Sequence, residues 1–181
     1  SVRPIAQLAK QKGLKIINVE KFPIHCGTIR ITLAHDTSYY VPKPSVSDFT
    51  TKEILGGYDK KETYKDWEGK VKAQVHEFEM KLLELKKSGA KIAAFSASAK
   101  GNTLLNYAKM NTDIISYIMD ETPEKVGKFS PGTGIPIVHK QHLLKDMPDY
   151  VIILAWNFAD VLIGKLREMG YKGKFIVPIP R

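Results

Sequence analysis

The sequence has a single cysteine, Cys26, among 181 residues. One thiol excludes an internal disulfide and any zinc site built from several cysteines, and it fits a reducing compartment. No run approaches the roughly 18 consecutive apolar residues of a membrane span, and the N-terminus lacks the apolar core of a signal peptide. A cytoplasmic protein with no membrane partner is expected. Glycine (13) and proline (10) are neither scarce nor abundant, which removes the fibrous and low-complexity classes. Acidic residues are outnumbered, 19 against 28 basic ones, for a formal charge of +9. That balance favours anionic partners. The lysines are spread along the whole chain, however, without a basic block or a basic stretch interleaved with aromatics, so nucleic acid is not an expected partner.

What is present is 43% hydrophobic content, enough for one globular domain and an appendage. The chain starts at Ser1, and RPIAQLAKQ (residues 3–11) already reads as a helix in progress. This predicts a piece of a longer protein, with a processed or tag-scarred complete protein as the alternative. Gly13 punctuates that helix. LKIINVEKF and TIRITLAH then alternate as two strands of a hairpin around the turn PIHCG. Residues 39–59 carry Pro42, Pro44, Gly56 and Gly57 and read as a linker, with a short helix over VSDFTTKEIL capped by Ser47 or Asp48. Tyr64, Trp67, Val71, Val75, Phe78, Leu82 and Leu85 are spaced 3, 4, 4, 3, 4 and 3 apart. They form one apolar stripe of a long amphipathic helix, which Ser88-Gly89 ends.

From Lys91 the rhythm changes. KIAAF, DIISYIM, GIPIV, YVIILAW and KFIVPIP are short, almost continuously apolar strands. Between them lie helical patterns over Asn102–Met110, HKQHLLKDM and FADVLIGKLREM. Such alternation predicts an α/β fold: a Rossmann-like, doubly wound, mainly parallel sheet covered on both faces, preceded by the hairpin and the long helix. The organisation expected is a tail over 1–38, a linker over 39–59, and the long helix plus Rossmann-like domain over 60–181. In that topology ligands bind at the carboxyl ends of the strands, near the switch point.

The stretch FSASAKGNT (95–103) occupies that place. A helix N-terminus with free N–H groups, Gly101, Asn102 or Thr103 as cap, and Lys100 suits a phosphate. The order Lys-Gly-Asn is not a Walker A loop, and Ser96 and Ser98 break the GxGxxG fingerprint. A plain strand-to-helix turn with an exposed lysine stays open as the alternative. Asp120, twenty residues after Lys100, is placed where dinucleotide folds put a ribose-binding acid. The loop EKVGKFSPGTGIPI holds Lys125, Lys128 and a PGT turn, as a binding loop or a solvated one. Trp156 and Asn157 close the most apolar strand, Asn157 as helix cap or as ligand contact. His139 and His142 lack a third metal ligand nearby, and neither a Ser-His-Asp nor a Cys-His arrangement is evident.

Four motifs in one order, HCGTIR (25–30), FSASAKGNTLLNY (95–107), DETPEKVGKFSPGTGIPI (120–137) and ILAWNF (153–158), resemble the C-terminal portion of the sugar C-methyltransferases. These are S-adenosylmethionine-dependent enzymes acting on nucleotide-linked deoxysugars. Their usual forms are roughly HGGSLR, GYGAPAKGNTLLN, D-x-x-P-x-KQG-x-x-x-PGTHIPI and PWN. The resemblance covers residues 14–181. This sequence departs in having Ser96 and Ser98 in the glycine loop, Gly134 for the histidine of PGTHIPI, and Val161 near an absent acidic residue.

The resemblance implies a zinc-binding N-terminal domain and a central domain holding S-adenosylmethionine, both outside this chain, with residues 1–36 as the tail of the central one. It implies a nucleotide-sugar substrate with Lys100, Gly101 and Asn102 facing its phosphates. His25, Thr28 and Arg30 would contribute at the domain junction, and Asp120, Thr133 and Asn157 would line the cleft. A base outside the chain would form an enolate on the sugar, whose carbon takes the methyl group. This piece would position substrate and hold no catalytic residue. A non-catalytic nucleotide-binding module of a diverged relative and an NAD(P)-dependent enzyme are the alternatives. The edge of the hairpin is expected to pack on the long helix or to pair with a second copy as a homodimer.

Overall fold

The structure is a computed structural model that describes residues 1–24 and 27–179. It divides into two compact units, Ser1–Gly69 and Lys70–Arg181.

In the first unit, helix α1 (Val2–Gln11) leads through Gly13, at φ +66°, into β1 (Leu14–Phe22) and its antiparallel partner β2 (Thr28–His35). The register runs from Leu14↔His35 to Phe22↔Thr28, with one irregularity between Ile16 and Asn18. Helix α2 (Pro44–Leu55) begins three residues before Ser47, the earlier of the two caps expected from sequence. Pro44 explains the early start, because its fixed φ suits the first helical turn, where no N–H partner is needed. One face of the hairpin is covered from within the first unit. Ile16 and Val19 are buried with Val2, and Ile29, Ile31, Val46 and Phe49 pack around them, so α1 and α2 cover it.

Glu53 of α2 is buried, yet its carboxylate accepts the N–H groups of Val2 (2.5 Å) and Arg3 (3.1 Å) and the Ser1 hydroxyl (3.1 Å). It therefore caps α1 from 50 residues away. Burial pushes its carboxyl up, but these donors outweigh it and hold it below the usual range.

Helix α3 (Lys61–Lys87) contains the boundary between the units. Within the second unit Phe78 and Leu82 are buried and Val75 and Leu85 are half-buried. Tyr64 and Trp67, earlier on the same stripe, are 55% and 65% exposed. Ala90 N–H returning to Leu85 and Gly89 at φ +84° end the helix.

Five parallel strands follow: β3 (Ile92–Phe95), β4 (Ile118–Asp120), β5 (Ile137–His139), β6 (Tyr150–Ile153) and β7 (Lys174–Ile176), in the order β5-β4-β3-β6-β7. Helices α4 (Ala99–Tyr107), α5 (His142–Asp146) and α6 (Ala159–Glu168) connect them. Alternate residues of β3 go to opposite faces, as the pleat requires. Ile92 and Ala94 pack with Leu82, Leu105 and Ile118, while Ala93 and Phe95 pack with Leu143, Leu166 and Tyr171. This is the Rossmann-like, doubly wound arrangement expected, with its switch point between β3 and β6. No helix among the described residues is long and apolar enough to cross a membrane.

Candidate functional site at the carboxyl edge of the sheet

The carboxyl end of β3 turns sharply at Ser96, whose φ is +72°. This left-handed conformation is uncommon for a residue with a side chain. It lets Ser96 N–H bond Met119 O (2.8 Å) and Ala97 N–H reach the Asp120 carboxylate (2.7 Å). Ser98, not Asn102 or Thr103, caps α4. Its Oγ accepts Gly101 N–H (3.2 Å) and donates to Leu154 O (3.1 Å). The helix thus starts three residues before the expected Asn102, because an extended serine followed by Ala-Lys-Gly supplies a cap earlier. The first-turn N–H groups of Ala99 and Lys100 have no intrahelical partner.

Gly101 has a packing role that its sequence context did not indicate. A Cβ built on it would lie 2.5 Å from Leu154 Cβ and 3.0 Å from Ser98 Oγ. The missing side chain lets α4 sit against the end of β6.

Asp120 ends β4 as expected and is 6% exposed. Besides Ala97 N–H, its carboxylate accepts Thr122 N–H (2.8 Å) and faces Lys125 Nζ (3.4 Å). Lys125 also donates to Ala97 O (3.0 Å). Burial works to raise the Asp120 carboxyl, but Thr122, Ala97 and Lys125 together hold it below the ordinary aspartate value. A carboxyl depressed in the fold contributes stability that is complete above its unfolded pKa of about 3.9. That contribution is lost as pH falls through the lower folded value. Asp120→Asn is expected to cost about 1–2 kcal/mol at pH 7 and to flatten the pH dependence of stability below about pH 4. Urea unfolding at a series of pH values checks both, and parallel curves for the two proteins would contradict them.

Between the first turn of α4 and residues 124–131 lies a cleft of about 520 Å³. Ala97, Ile118, Ile137, Leu154 and Phe129 make its walls mostly apolar, with Glu124, Lys125 and Lys128 beside them. Asn102 faces this cleft, and its Oδ1 is buried with no hydrogen-bond partner. Asn106 Nδ2 holds the loop in place by donating to Pro131 O (3.0 Å) and Asn102 O (2.8 Å). Gly132, at φ +79°, is required because a Cβ there would collide with the Asn106 amide.

The residues picked from sequence are thus distributed unevenly. Asn102 lines the cleft, Gly101 packs behind it, and Asp120 is committed to the loop beneath it. Lys100 is exposed at the start of α4 and pairs with no acid among the described residues. Thr133 bonds the hydroxyl of Ser130, a cleft residue, and Asn157 lies in the 3-10 turn Trp156–Phe158 after β6. Thr28 and Arg30 belong to the first unit. There Thr28 donates to Ile24 O (2.9 Å), and Arg30 forks onto Glu20 (3.1 and 3.3 Å) over the Phe22 ring. His25 lies outside the described residues. Ser98 and the inward bond of Lys125 were not singled out from sequence. A signal for the second was present: Thr122-Pro123, one residue beyond the strand-ending Asp120, sets a helical turn (Lys125 N–H to Thr122 O, 3.0 Å) that swings the lysine back. Among the described residues no group of three His, Cys, Asp or Glu side chains is placed to hold a metal ion.

Comparison with known proteins bears on this edge. The family described as "C-methyltransferase C-terminal domain" matches residues 23–180. "C-methyltransferase NovU" of Streptomyces niveus is 29% identical over 184 residues, covering 99% of this chain and 43% of the relative. The chain therefore spans less than half the length of the curated relative it matches. The match runs from the hairpin turn through every strand of the parallel sheet, and the chain belongs to the family of C-methyltransferase C-terminal domains.

Proposed function

We propose that this chain is the nucleotide-sugar-binding part of a longer, S-adenosylmethionine-dependent C-methyltransferase. The observation that carries the reading is the cleft at the carboxyl edge of the sheet, flanked by the α4 N-terminus and by the exposed Lys128. A helix start and a cation suit a diphosphate, and apolar walls suit the flatter parts of a nucleotide. The departures from the family motifs leave this geometry standing. Ser96 adopts the positive φ that a glycine takes most easily, and Ser98 supplies a cap that proline has no side-chain acceptor to give.

S-adenosylmethionine does not fit the described residues at this edge. The space above Gly101 is filled by Leu154, and the Asp120 carboxylate is already bound by two N–H groups and Lys125. No step of methyl transfer is therefore assigned to this chain. Its part is to hold the substrate. The same two facts disfavour a nicotinamide dinucleotide here, since the acid that would take its ribose hydroxyls is spent.

Titration calorimetry of the chain with uridine, thymidine, cytidine, adenosine and guanosine diphosphates tests the reading. One of them is expected to bind saturably. Lys128→Ala, which removes an exposed ammonium at the cleft, is expected to weaken that binding about 3- to 10-fold. Absence of saturable binding by any nucleoside diphosphate would sink the reading.

A further inference from the structure

Three charged side chains line the cleft beside α4: Glu124, Lys125 and Lys128. Lys125 is held by Asp120 and by Ala97 O. Glu124 and Lys128 are exposed and make no hydrogen bond or ion pair among the described residues. The segment that carries them is fixed nonetheless. Asp120 Oδ1 accepts Thr122 N–H (2.8 Å), and Thr122 O accepts Lys125 N–H (3.0 Å) and Val126 N–H (3.2 Å). Further on, Gly127 N–H donates to Ile137 O and Lys128 O accepts Ile137 N–H, both at 2.8 Å. Both free charges therefore stand on backbone pinned at its two ends.

The lysine suits a diphosphate and the glutamate does not. A carboxylate in a phosphate-binding cleft repels its ligand, against the attraction expected from a chain of formal charge +9. A carboxylate has only acceptor positions to offer, so a favourable contact has to come from a donor on the ligand. An ionised phosphate has none. Sugar rings carry hydroxyls, and two adjacent hydroxyls match the two oxygens of one carboxylate. Sugars also adjoin the phosphates directly, whereas the base lies further off. Glu124 and Lys128 are four residues apart, about one helical turn of 5.4 Å, which suits neighbouring groups of one ligand. Dinucleotide folds take ribose hydroxyls with an acid near a strand end. Here the strand-ending Asp120 is already bound by Ala97, Thr122 and Lys125, and Glu124 is the carboxylate at the cleft whose oxygens are free.

Resting on the nucleotide-sugar reading above, we propose that Glu124 is a sugar-reading residue. Its carboxylate accepts hydroxyl donors from a sugar ring next to the diphosphate, while Lys128 and the start of α4 hold the phosphates. That ring is the pentose of the nucleotide or the hexose beyond the phosphates, which present the same hydroxyl chemistry. The two free charges give the ligand a direction in the cleft, because the reversed pose sets phosphate against carboxylate.

The experiment titrates the chain and Glu124→Gln, a change at an exposed position without a partner. The ligands are the preferred nucleoside diphosphate, its form lacking the pentose hydroxyls, its hexose ester, and inorganic pyrophosphate. Effects of opposite sign are expected. Glu124→Gln should weaken the hydroxyl-bearing ligand about tenfold. It should tighten pyrophosphate about two- to threefold at low ionic strength, since a repulsive charge is gone. A loss for the nucleoside diphosphate that disappears without the pentose hydroxyls assigns the pentose, and a loss confined to the hexose ester assigns the hexose. Either supports the inference. Tightening of every ligand, or no change in any, would reduce Glu124 to a charge on the rim and overturn it. A loss for the nucleoside diphosphate that persists without the pentose hydroxyls would hand the contact to the base and overturn it too. So would equal weakening of pyrophosphate, or a lower melting temperature of ligand-free Glu124→Gln, each marking a structural role. Binding of neither the nucleoside diphosphates nor their hexose esters by the parent chain takes down the nucleotide-sugar reading, and this inference with it.

Discussion

Leu82→Ala is expected to destabilise the second unit by about 2–5 kcal/mol, the range for deleting a fully buried leucine side chain. Leu82 is 0% exposed and packs in the same cluster as Ile92, Ala94, Leu105 and Ile152. Three elements meet on it, so the void has little freedom to collapse, and the loss should fall in the upper half of the range. Trp67→Ala on the same stripe supplies the contrast. Its ring is 65% exposed, and the change should stay within about 0.5 kcal/mol. Urea unfolding followed by circular dichroism separates the two. Comparable losses at both positions would mean that the first half of α3 is as tightly packed as the second.

The second large effect is expected at Gly101. Carbon atoms in ordinary contact lie about 3.5–4.0 Å apart, whereas a Cβ here would stand 2.5 Å from Leu154 Cβ. Leu154 is 0% exposed and its neighbours cannot retreat. Gly101→Ala should therefore cost about 3 kcal/mol, at the high end for an added methyl in a packed core, despite the gain in helix propensity of about 1 kcal/mol. Because the methyl pushes α4 away from β6, the Ser98 cap and the position of Asn102 move with it, and nucleotide binding should fall together with stability. The check is thermal unfolding alongside titration with the nucleoside diphosphate. An unchanged melting temperature would show that α4 has room the contact distances deny it.

Much of this architecture was legible in the sequence, for reasons that can be traced to individual segments. KIAAF and YVIILAW are apolar on both sides because both faces of their strands are covered, by α3 and α4 on one and by α5 and α6 on the other. The alternation of LKIINVEKF marked a strand with one covered face in the same way. The pattern was less informative where burial and backbone shape part company. Ile114 and Ile115 suggested that a strand begins at Asp113. Instead a turn at Asn111 precedes β4, and Ile115 is fully buried without being a strand residue. Apolar content reports burial, not extension.

The site was legible in its location and not in its wiring. The edge of the sheet followed from the βαβ rhythm. That Asp120 is consumed by Ala97, Thr122 and Lys125, that Gly101 answers to Leu154, and that Asn106 ties the 131 loop to α4 all depend on how two loops fold over one another. Spacing along the chain carries no trace of that.

The bond from Glu53 to the start of α1 ties the two ends of the first unit together during folding. The carboxylate that satisfies the N–H groups of Val2 and Arg3 belongs to α2. A helix of 10 residues is too short to persist alone in water. Without residue 53, α1 and the hairpin after it lack both a cap and one of their covering faces, so a cut between the hairpin and α2 is expected to leave this unit open to a protease rather than merely shortened.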